Sequence, residues 1–362
     1  MTIINGKKYL NFATYNYINA SCDPIVIKAA QEAAARYGTS ASASRIVSGT
    51  KPVHVDLENE ISHFLGTEDT LTFTAGHQTN ESTIGHFMGP EDLILHDALS
   101  HNSLVQGSIL SGARHRPFPH NDCDAIDQIL TKHRSRYRRV LIVCEGVYSM
   151  DGDYPDLPRF IELKKKHKAM MMIDEAHSLG VLGKTGRGIG EFFNVDRKDV
   201  EIWMCTLSKT LGACGGYVSG RKEMIGYMKY TTPAFVFSAA MAPPVAAAAL
   251  AALKLLEREP QRCEKLRQNG RFFKEYAQKN GLDTGLATET GVIPIIIGNS
   301  MKCLKISKYL FDHGINANPI LHPAVEEKAA RIRFFLTSAH SIDELKMTID
   351  TLVEGIREVE NE

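Results

Sequence analysis

The sequence of 362 residues predicts an α/β protein in which helices cover both faces of a mainly parallel central sheet, with a smaller α+β domain at the C-terminal end. Short apolar runs alternate with helical patterns through the middle of the chain. Residues 140–144 (VLIVC) and 170–173 (MMMI) are apolar throughout, as expected of strands that a parallel sheet buries on both faces. After Ser238 the pattern changes to longer helices, which marks a second domain.

The spacing of apolar residues predicts each element in turn. Strands are predicted at 70–74, 92–96, 139–145, 169–174, 202–206, 215–219, 292–297 and 332–336. Helices are predicted at 76–86, 103–111, 157–167, 243–259, 261–280, 302–313 and 342–359. We therefore expect an N-terminal segment (1–34), a large domain (35–250) and a small C-terminal domain (251–362).

Composition excludes several classes of protein. Lys+Arg and Asp+Glu both number 42, so no net charge favours nucleic acid or an anionic membrane as a partner. The longest apolar stretch, 243–256, is too short to span a bilayer, and residues 1–9 lack the apolar core of a secretion signal. The seven cysteines are scattered without a Cys-x-x-Cys pair or zinc-ligand spacing. We expect a cytoplasmic protein with reduced thiols and no metal site.

Lys209 and Asp174 are the most informative residues. Lys209 follows the apolar run 202–207 and precedes a glycine-rich segment, and burial there would lower its pKa and supply a neutral amine. Asp174 ends an apolar strand roughly one βα unit upstream, where its carboxylate needs a helix N-terminus, an arginine or a pyridinium N–H as partner. Together they predict pyridoxal 5′-phosphate (PLP), whose aldehyde forms a Schiff base with a lysine and whose ring nitrogen an aspartate keeps protonated.

Other polar residues lie near the same strand ends, where ligands bind in parallel sheets. Glu145 closes one strand, and His177 follows Asp174 by three residues, within reach of a cofactor phenolic oxygen. His101 lies between a strand and a helix. The local sequence leaves two roles equally open for this segment: stacking of His101 on the cofactor ring, or a helix cap led by Ser100 or Asn102.

Three further motifs are candidates for ligand binding. Gly76 stands at a strand-to-helix turn whose backbone N–H groups are suited to a phosphate, although many such turns look alike. Residues 183–185 (GKT) resemble the end of a P-loop, but Ser178 stands where that motif requires glycine, so we reject a nucleotide-switch function. Residues 331–333 (RIR) fit either surface charge on an edge strand or bidentate capture of a substrate carboxylate.

From about Tyr9 to the C-terminus the chain resembles the α-oxoamine synthase family, which includes serine palmitoyltransferase and 8-amino-7-oxononanoate synthase. The resemblance lies in 44–50 (SRIVSGT), 99–104 (LSHNSL), 145–152 (EGVYSMDG), 174–180 (DEAHSLG), 185–188 (TGRG), 206–209 (TLSK) and 331–333 (RIR). It implies the type I, aspartate-aminotransferase-like fold, with PLP bound in the large domain. It also implies a homodimer whose active sites form between subunits.

The resemblance implies a role for each residue of the cofactor site. Lys209 would hold PLP and later move the substrate α-proton, and Asp174 would pair with the ring nitrogen. His101 would stack on the ring. His177 and Ser149 would approach the phenolic oxygen.

By the same resemblance, Thr206 and the backbone of Gly76 and His77 would hold the cofactor phosphate. His77 replaces the aromatic residue of many relatives, although a backbone contact survives that change. Relatives usually carry several hydroxyls that reach the phosphate across the dimer interface, and in 237–241 only Ser238 remains. That departure leaves the second subunit's contribution open.

Substrate binding and reaction are also implied by the resemblance. Arg333 would bind an amino-acid carboxylate, and Asn16 would contact the substrate. The reaction would be a decarboxylative Claisen-type condensation of an amino acid with an acyl thioester of CoA or an acyl-carrier protein, giving an α-amino ketone. Alternatives are an aminotransferase of the same fold and a non-catalytic partner subunit. Because the N-terminal helical segment of relatives is missing, we expect an excised domain of a larger, polyketide-synthase-like protein.

Overall fold

The computed structural model describes residues 1–361, which form two compact units. The large unit comprises residues 20–148 and 154–260, and the small unit comprises residues 1–19, 149–153 and 261 onward. The small unit therefore collects three separate stretches of chain. The division predicted at residues 34 and 250 stays a prediction, and the units described here change at different positions.

The elements are numbered in chain order. The strands are β1 (Thr2–Ile4), β2 (Lys7–Asn11), β3 (Asp69–Phe73), β4 (Leu93–Asp97), β5 (Arg114–Phe118), β6 (Val140–Glu145), β7 (Met170–Asp174), β8 (Ile202–Thr206), β9 (Gly216–Gly220), β10 (Val292–Ile296), β11 (Ile315–Asn316), β12 (Asn318–Ile320) and β13 (Arg331–Phe335). The α-helices are α1 (Pro24–Tyr37), α2 (Pro52–Leu65), α3 (Gly76–Phe87), α4 (Asn102–Leu110), α5 (Cys123–His133), α6 (Leu157–Lys166), α7 (Ile189–Phe192), α8 (Lys222–Thr231), α9 (Pro233–Val236), α10 (Pro243–Arg258), α11 (Gln261–Lys279), α12 (Ser300–Asp312) and α13 (Ile342–Asn361). None of the helices within residues 1–361 combines the length and apolar character that crossing a membrane requires.

The large unit is built on a seven-stranded sheet with the order β3-β9-β8-β7-β6-β4-β5. The five strands from β5 to β8 along this order are mutually parallel, and β9 runs antiparallel to both β8 and β3. The predicted mainly parallel sheet is confirmed.

Strand β6 shows why the sheet is apolar on both faces. Ile142 and Cys144 pack into one core cluster, whereas Leu141 and Val143 pack into another. Alternate residues of a strand point to opposite faces, so each face of the sheet has its own core of helices and strands. An uninterrupted apolar run is the sequence that such a double-sided environment favours.

The ends of all the predicted elements lie within two residues of the observed ones. Helices α1, α2, α5, α7, α8 and α9 and strands β1, β2, β5, β11 and β12 were not predicted. Strand β5 escaped detection because it forms the edge of the sheet. Its residues Arg114, His115 and Arg116 are exposed, so its sequence carries no apolar pattern.

The small unit contains an antiparallel sheet of order β10-β13-β12 and a second sheet of order β1-β2-β11. Strand β13 is the middle strand of its sheet, which excludes the alternative that residues 331–333 are surface charge on an edge strand. Arg331 is buried there and donates to Asp151 Oδ1 at 2.5 Å and to the Met150 carbonyl at 3.1 Å. Arg331 is therefore an internal ion-pair residue rather than surface charge.

A buried ion pair ties α2 to β3 in the large unit. Arg45, at the start of a π-helical turn (Arg45–Gly49), donates to both carboxylate oxygens of Glu58 at 2.8 Å. Glu58 also accepts from the Thr72 backbone N–H at 3.0 Å and from the Thr72 hydroxyl at 2.8 Å. Four donors thus satisfy one buried carboxylate.

Replacing Arg45 by methionine should lower the free energy of unfolding by about 3–5 kcal/mol, because Glu58 would stay buried without its cation. Denaturant unfolding followed by circular dichroism would measure the loss. The double variant Arg45→Met/Glu58→Leu should recover most of it, since both charges are then gone. Equal stability of wild type and the single variant would contradict this account.

Candidate active site

Four polar residues end adjacent strands at the carboxyl edge of the large sheet. Asp97, Glu145, Asp174 and Thr206 close β4, β6, β7 and β8. Glu145 lies opposite Asp174 in the register of β6 and β7. All four side chains are buried. Parallel pairing therefore brings together residues that lie more than 100 positions apart in the chain, as the sequence predicted for Glu145 and Asp174.

Asp174 is the best-anchored acid of this edge. Its Oδ2 accepts from Asn80 Nδ2 at 2.7 Å, and its Oδ1 accepts from the Ala176 backbone N–H at 2.9 Å. Only 4% of its surface is exposed. Both described donors are uncharged, so a cationic N–H would add the charge compensation that a buried carboxylate needs.

A hydrogen-bond chain links Asp174 to His101. Asn80 Nδ2 also donates to Ser103 Oγ at 2.9 Å, and Ser103 Oγ contacts His101 Nδ1 at 2.7 Å. The Ser103 backbone N–H donates to the same nitrogen at 3.2 Å. His101 Nδ1 is thus an acceptor, which fixes the neutral tautomer with its proton on Nε2.

These bonds make His101 the N-cap of α4, so the cap is neither Ser100 nor Asn102. The histidine is exposed even though its Nδ1 is fixed, which leaves ring surface available to a flat ligand. Desolvation lowers the pKa of His101. The charge of Asp174 opposes this shift, whereas Lys209 and His77 add to it. Capping and ring stacking are compatible, and the stacking role stays a prediction.

Lys209 lies in the loop that follows β8. Its backbone carbonyl accepts from the Gly212 N–H at 3.1 Å, and the side chain is half-buried. The lysine is close enough to act electrostatically on both His101 and Glu145. An amine, a stacking-competent ring and two carboxylates thus share one region of the large unit.

Glu145 ends strand β6, and the sequence pattern predicted its position without indicating a role for it in the site. Burial, together with the nearby Asp174 carboxylate, raises the pKa of Glu145 to about 8. The His101 backbone N–H, which donates to Glu145 Oε1 at 2.6 Å, and the charge of Lys209 oppose this shift. Glu145 therefore holds a proton near neutral pH in the cofactor-free protein.

The first turn of α3 has the shape of an anion site. A Cβ at Gly76 would lie 2.5 Å from Thr206 Oγ1, so only glycine lets the helix start approach β8 this closely. Ala75, at the N-cap, supplies no side-chain hydrogen bond to the helix start. Gln78 Nε2 donates to Ser238 Oγ at 3.4 Å, which brings Ser238 to the same turn. A helix N-terminus flanked by hydroxyls suits a phosphate.

The two other predicted histidines take different positions. His177 is buried three residues after Asp174. His77 is half-exposed, with Nε2 at 3.1 Å from Glu81 Oε1 and its ring centroid 6.1 Å from that of His101. The side chain of His77 therefore pairs along α3, and its backbone remains in the first turn.

Arg333, Ser149 and Asn16 belong to the small unit. Arg333 Nη1 donates to the Ser149 carbonyl at 2.9 Å, and the guanidinium lies 4.5 Å above the Phe335 ring. Within residues 1–361 Arg333 Nε is buried without a hydrogen-bond partner, and burial lowers the pKa of the guanidinium. Asn16 Nδ2 donates to Asn19 Oδ1 at 3.3 Å.

Sequence reasoning missed Asn80 and Ser103 as site residues. Asn80 lies four positions after Gly76, hence on the same face of α3, and that spacing is the signal that was available. Ser103 follows His101 by two residues, but nothing in the sequence shows that its hydroxyl joins Asn80 to the histidine.

The sheet topology and the residues at its carboxyl edge define a PLP-dependent enzyme of the type I fold. The fit to PLP rests on two observations. The buried Asp174 carboxylate accepts only neutral hydrogen bonds from the described residues, so a cationic partner would balance its charge, and Gly76 lies close to Thr206. Lys209 supplies the amine that such an enzyme requires.

Comparison with known proteins agrees with this class. Residues 7–352 match the family described as aminotransferase class I and II. The chain is 36% identical to serine palmitoyltransferase of Sphingobacterium spiritivorum over 360 residues, covering 99% of this chain and 90% of that protein. It is 37% identical to 8-amino-7-oxononanoate synthase of Symbiobacterium thermophilum over 358 residues, covering 99% and 91%.

Solved structures give the same result. Serine palmitoyltransferase of Sphingomonas wittichii superimposes with a TM-score of 0.95 at 29% identity, covering 99% of this chain and 90% of that one. A structure described as serine palmitoyltransferase with a PLP internal aldimine has a TM-score of 0.94 at 27% identity, with the same coverage. The chain belongs to the aminotransferase class I and II family and, within it, to the α-oxoamine synthases, which are PLP-dependent acyltransferases.

Replacing Gly76 by alanine should weaken PLP binding by about 10- to 100-fold, because relieving the overlap with Thr206 costs on the order of 1–3 kcal/mol. Cofactor titration followed by visible absorbance would measure it. Gly226→Ala is the matched control, since a Cβ there meets no atom within 4 Å. Unchanged PLP affinity in Gly76→Ala would show that the helix start does not hold the cofactor.

The pH dependence of stability should change in Glu145→Gln. The folded-state pKa of Glu145, about 8, lies above its ordinary value of 4.5, so its stabilising contribution is complete below pH 4.5 and is lost as pH rises to 8. Relative to the variant, cofactor-free wild type should lose up to about 5 kcal/mol across this range. Denaturant unfolding at several pH values would test it, and parallel curves would refute the raised pKa.

Proposed function

We propose that the protein catalyses the decarboxylative Claisen-type condensation of an amino acid with an acyl thioester, giving an α-amino ketone. The observation that carries this proposal is the grouping of Lys209, the buried Asp174 and the fixed, neutral His101 at one edge of the sheet. The likeness to serine palmitoyltransferase and 8-amino-7-oxononanoate synthase supports condensation as the reaction type.

Bound PLP supplies an electron sink that stabilises negative charge on the substrate α-carbon. Asp174 would hold a proton on the pyridine nitrogen, and the bonds from Asn80 and Ala176 keep its carboxylate in place for that task. His101 presents its ring for stacking on the cofactor. His177 and Ser149 are proposed partners of the phenolic oxygen.

Lys209 has two tasks in this proposal. Its Nζ would hold the cofactor through the aldehyde carbon, and the same amine would move the proton of the substrate α-carbon. The second task needs a neutral amine. Nearby Glu145 keeps its own proton near neutral pH, which limits the negative charge that would favour an ammonium.

The cofactor phosphate is assigned to the first turn of α3. The backbone N–H groups of Gly76 and His77 and the hydroxyl of Thr206 are its proposed donors, with Ser238 beside them. The side chain of His77 is paired with Glu81, so its replacement of an aromatic residue leaves the backbone contact intact.

Arg333 is the proposed ligand of the substrate carboxylate. Its Nη1 is already committed to the Ser149 carbonyl, whereas its buried Nε has no partner within the described chain. A substrate carboxylate would satisfy this donor through a charge-assisted bond and would orient the Cα–H bond for proton removal. Asn16 is proposed to contact the substrate as well.

The substrates are proposed by class. Small amino acids such as glycine, alanine or serine are the family default, and the name serine palmitoyltransferase favours serine among them. The acyl group would arrive as a thioester of CoA or of a carrier protein, and the working enzyme would be a homodimer. An origin in a polyketide-synthase-like protein stays a prediction.

The test combines absorbance with product analysis. The PLP-loaded protein is titrated with single amino acids while its visible spectrum is recorded, and the amino acid that shifts the band is then incubated with acyl-CoA and with acyl-carrier protein. We expect CO2 and an α-amino ketone from one donor. Lys209→Ala should lose at least about 1000-fold of this activity. Arg333→Gln should keep the cofactor band and respond only at higher amino-acid concentration.

Three results would contradict the proposal. Retained condensation in Lys209→Ala would remove the lysine from the reaction. Formation of a keto acid and pyridoxamine phosphate in place of the ketone would identify an aminotransferase. Absence of a cofactor band after PLP reconstitution would favour a non-catalytic partner subunit.

A further inference from the structure

A basic cleft lies at the amino ends of β4 and β5, the opposite ends from Asp97 and the candidate active site. Leu93 and Arg114, the first residues of the two strands, are register partners and both line it. The cleft has a cavity volume of about 410 Å³. Its lining residues are Leu93, Arg114, Arg116, Ile129, His133, Arg136 and Tyr137.

The arginines of the cleft differ from their neighbours in sequence. Arg138 and Arg139 form ion pairs with the buried Asp92 at 3.2 Å and 2.6 Å. In contrast, Arg114, Arg116 and Arg136 are exposed, and their side chains form no ion pair or hydrogen bond among residues 1–361. The fold thus pairs Arg138 and Arg139 internally and leaves the three arginines of the cleft available to an external anion.

The surroundings of His133 show that the positive charge of the cleft is uncompensated. Desolvation lowers the pKa of His133, and Arg136, Lys132 and Arg116 each lower it further. No carboxylate contributes to this shift in the opposite direction. An uncompensated cluster of cations repels itself, and a bound polyanion would remove that cost.

Two other clefts within residues 1–361 lack this character. One beside Arg197 and Lys198 contains Glu68, which pairs with Lys198 at 4.0 Å. Another in the small unit includes Asp283 and Glu360 together with Lys302. Charges of both signs neutralise these two clefts internally, whereas the basic cleft has one sign only.

We propose that the basic cleft binds the polyphosphate group of a small molecule such as a nucleoside di- or triphosphate. Arg114 and Arg116 lie two positions apart and point to the same face of β5, so their guanidinium groups can bind adjacent phosphates. Leu93, Ile129 and Tyr137 give the cleft an apolar part for an organic ring. The volume is that of a small-molecule pocket, which favours such a ligand over a protein surface.

The test is isothermal titration calorimetry of the PLP-loaded protein with ATP and with inorganic pyrophosphate at low ionic strength. We expect one saturable site per chain, weakened by added salt because exposed charges are screened. The triple variant Arg114→Gln/Arg116→Gln/Arg136→Gln should bind at least about tenfold more weakly, since it loses three charge-assisted contacts. Arg36→Gln, which changes an exposed arginine of α1 outside the cleft, should bind as wild type does.

Two results would overturn the proposal: no saturable binding of either compound, or equal affinity in wild type and the triple variant. The melting temperature and PLP absorbance of each variant verify its fold. If the triple variant does not fold, the single variants Arg116→Gln and Arg136→Gln provide the same comparison, with an expected loss of affinity in each. The condensation assay is a separate readout, so failure of this proposal leaves the proposed reaction intact.

Discussion

The structure depends most on how it accommodates the Asp174 carboxylate inside a parallel sheet. A carboxylate at the end of a buried strand is costly, and Glu145 on the neighbouring strand adds a second acid. The protein meets this cost in two ways: Asp174 receives two neutral hydrogen bonds, and burial gives Glu145 a raised pKa, so that it carries a proton. The remaining need for a cation at Asp174 matches what the ring nitrogen of PLP provides.

The N-termini of α3 and α4 position the other residues of the candidate site. Helix α3 places Gly76 against Thr206 at its first turn and Asn80 one turn later, and His101 caps the N-terminus of α4. Ser103 and Asn80 join the two helices to Asp174 through one hydrogen-bond chain. The same side chains that cap and pack helices thereby set the tautomer of the histidine, so local folding and cofactor electrostatics are coupled.

The carboxyl ends and the amino ends of the strands in the large sheet differ in their electrostatic character. The carboxyl edge carries buried acids that favour a cationic ring, whereas the amino ends of β4 and β5 carry exposed arginines that favour an anion. A formal net charge of zero conceals this separation. Whole-chain composition argued against a basic nucleic-acid surface, and it could not reveal a local cleft that the fold assembles.

The sequence by itself determined the fold class, the positions of the apolar strands along the chain, and the placement of Lys209 and Asp174 after such strands, because buried strands and strand-end residues leave local patterns. It did not determine β5, whose edge position removes the apolar pattern, or the burial of Arg331 in the middle strand of its sheet. Only the tertiary structure decided that Asn80 and Ser103 connect Asp174 to His101 and that Glu145 carries a proton. These properties arise from contacts and desolvation between residues distant in the chain, which no local pattern encodes.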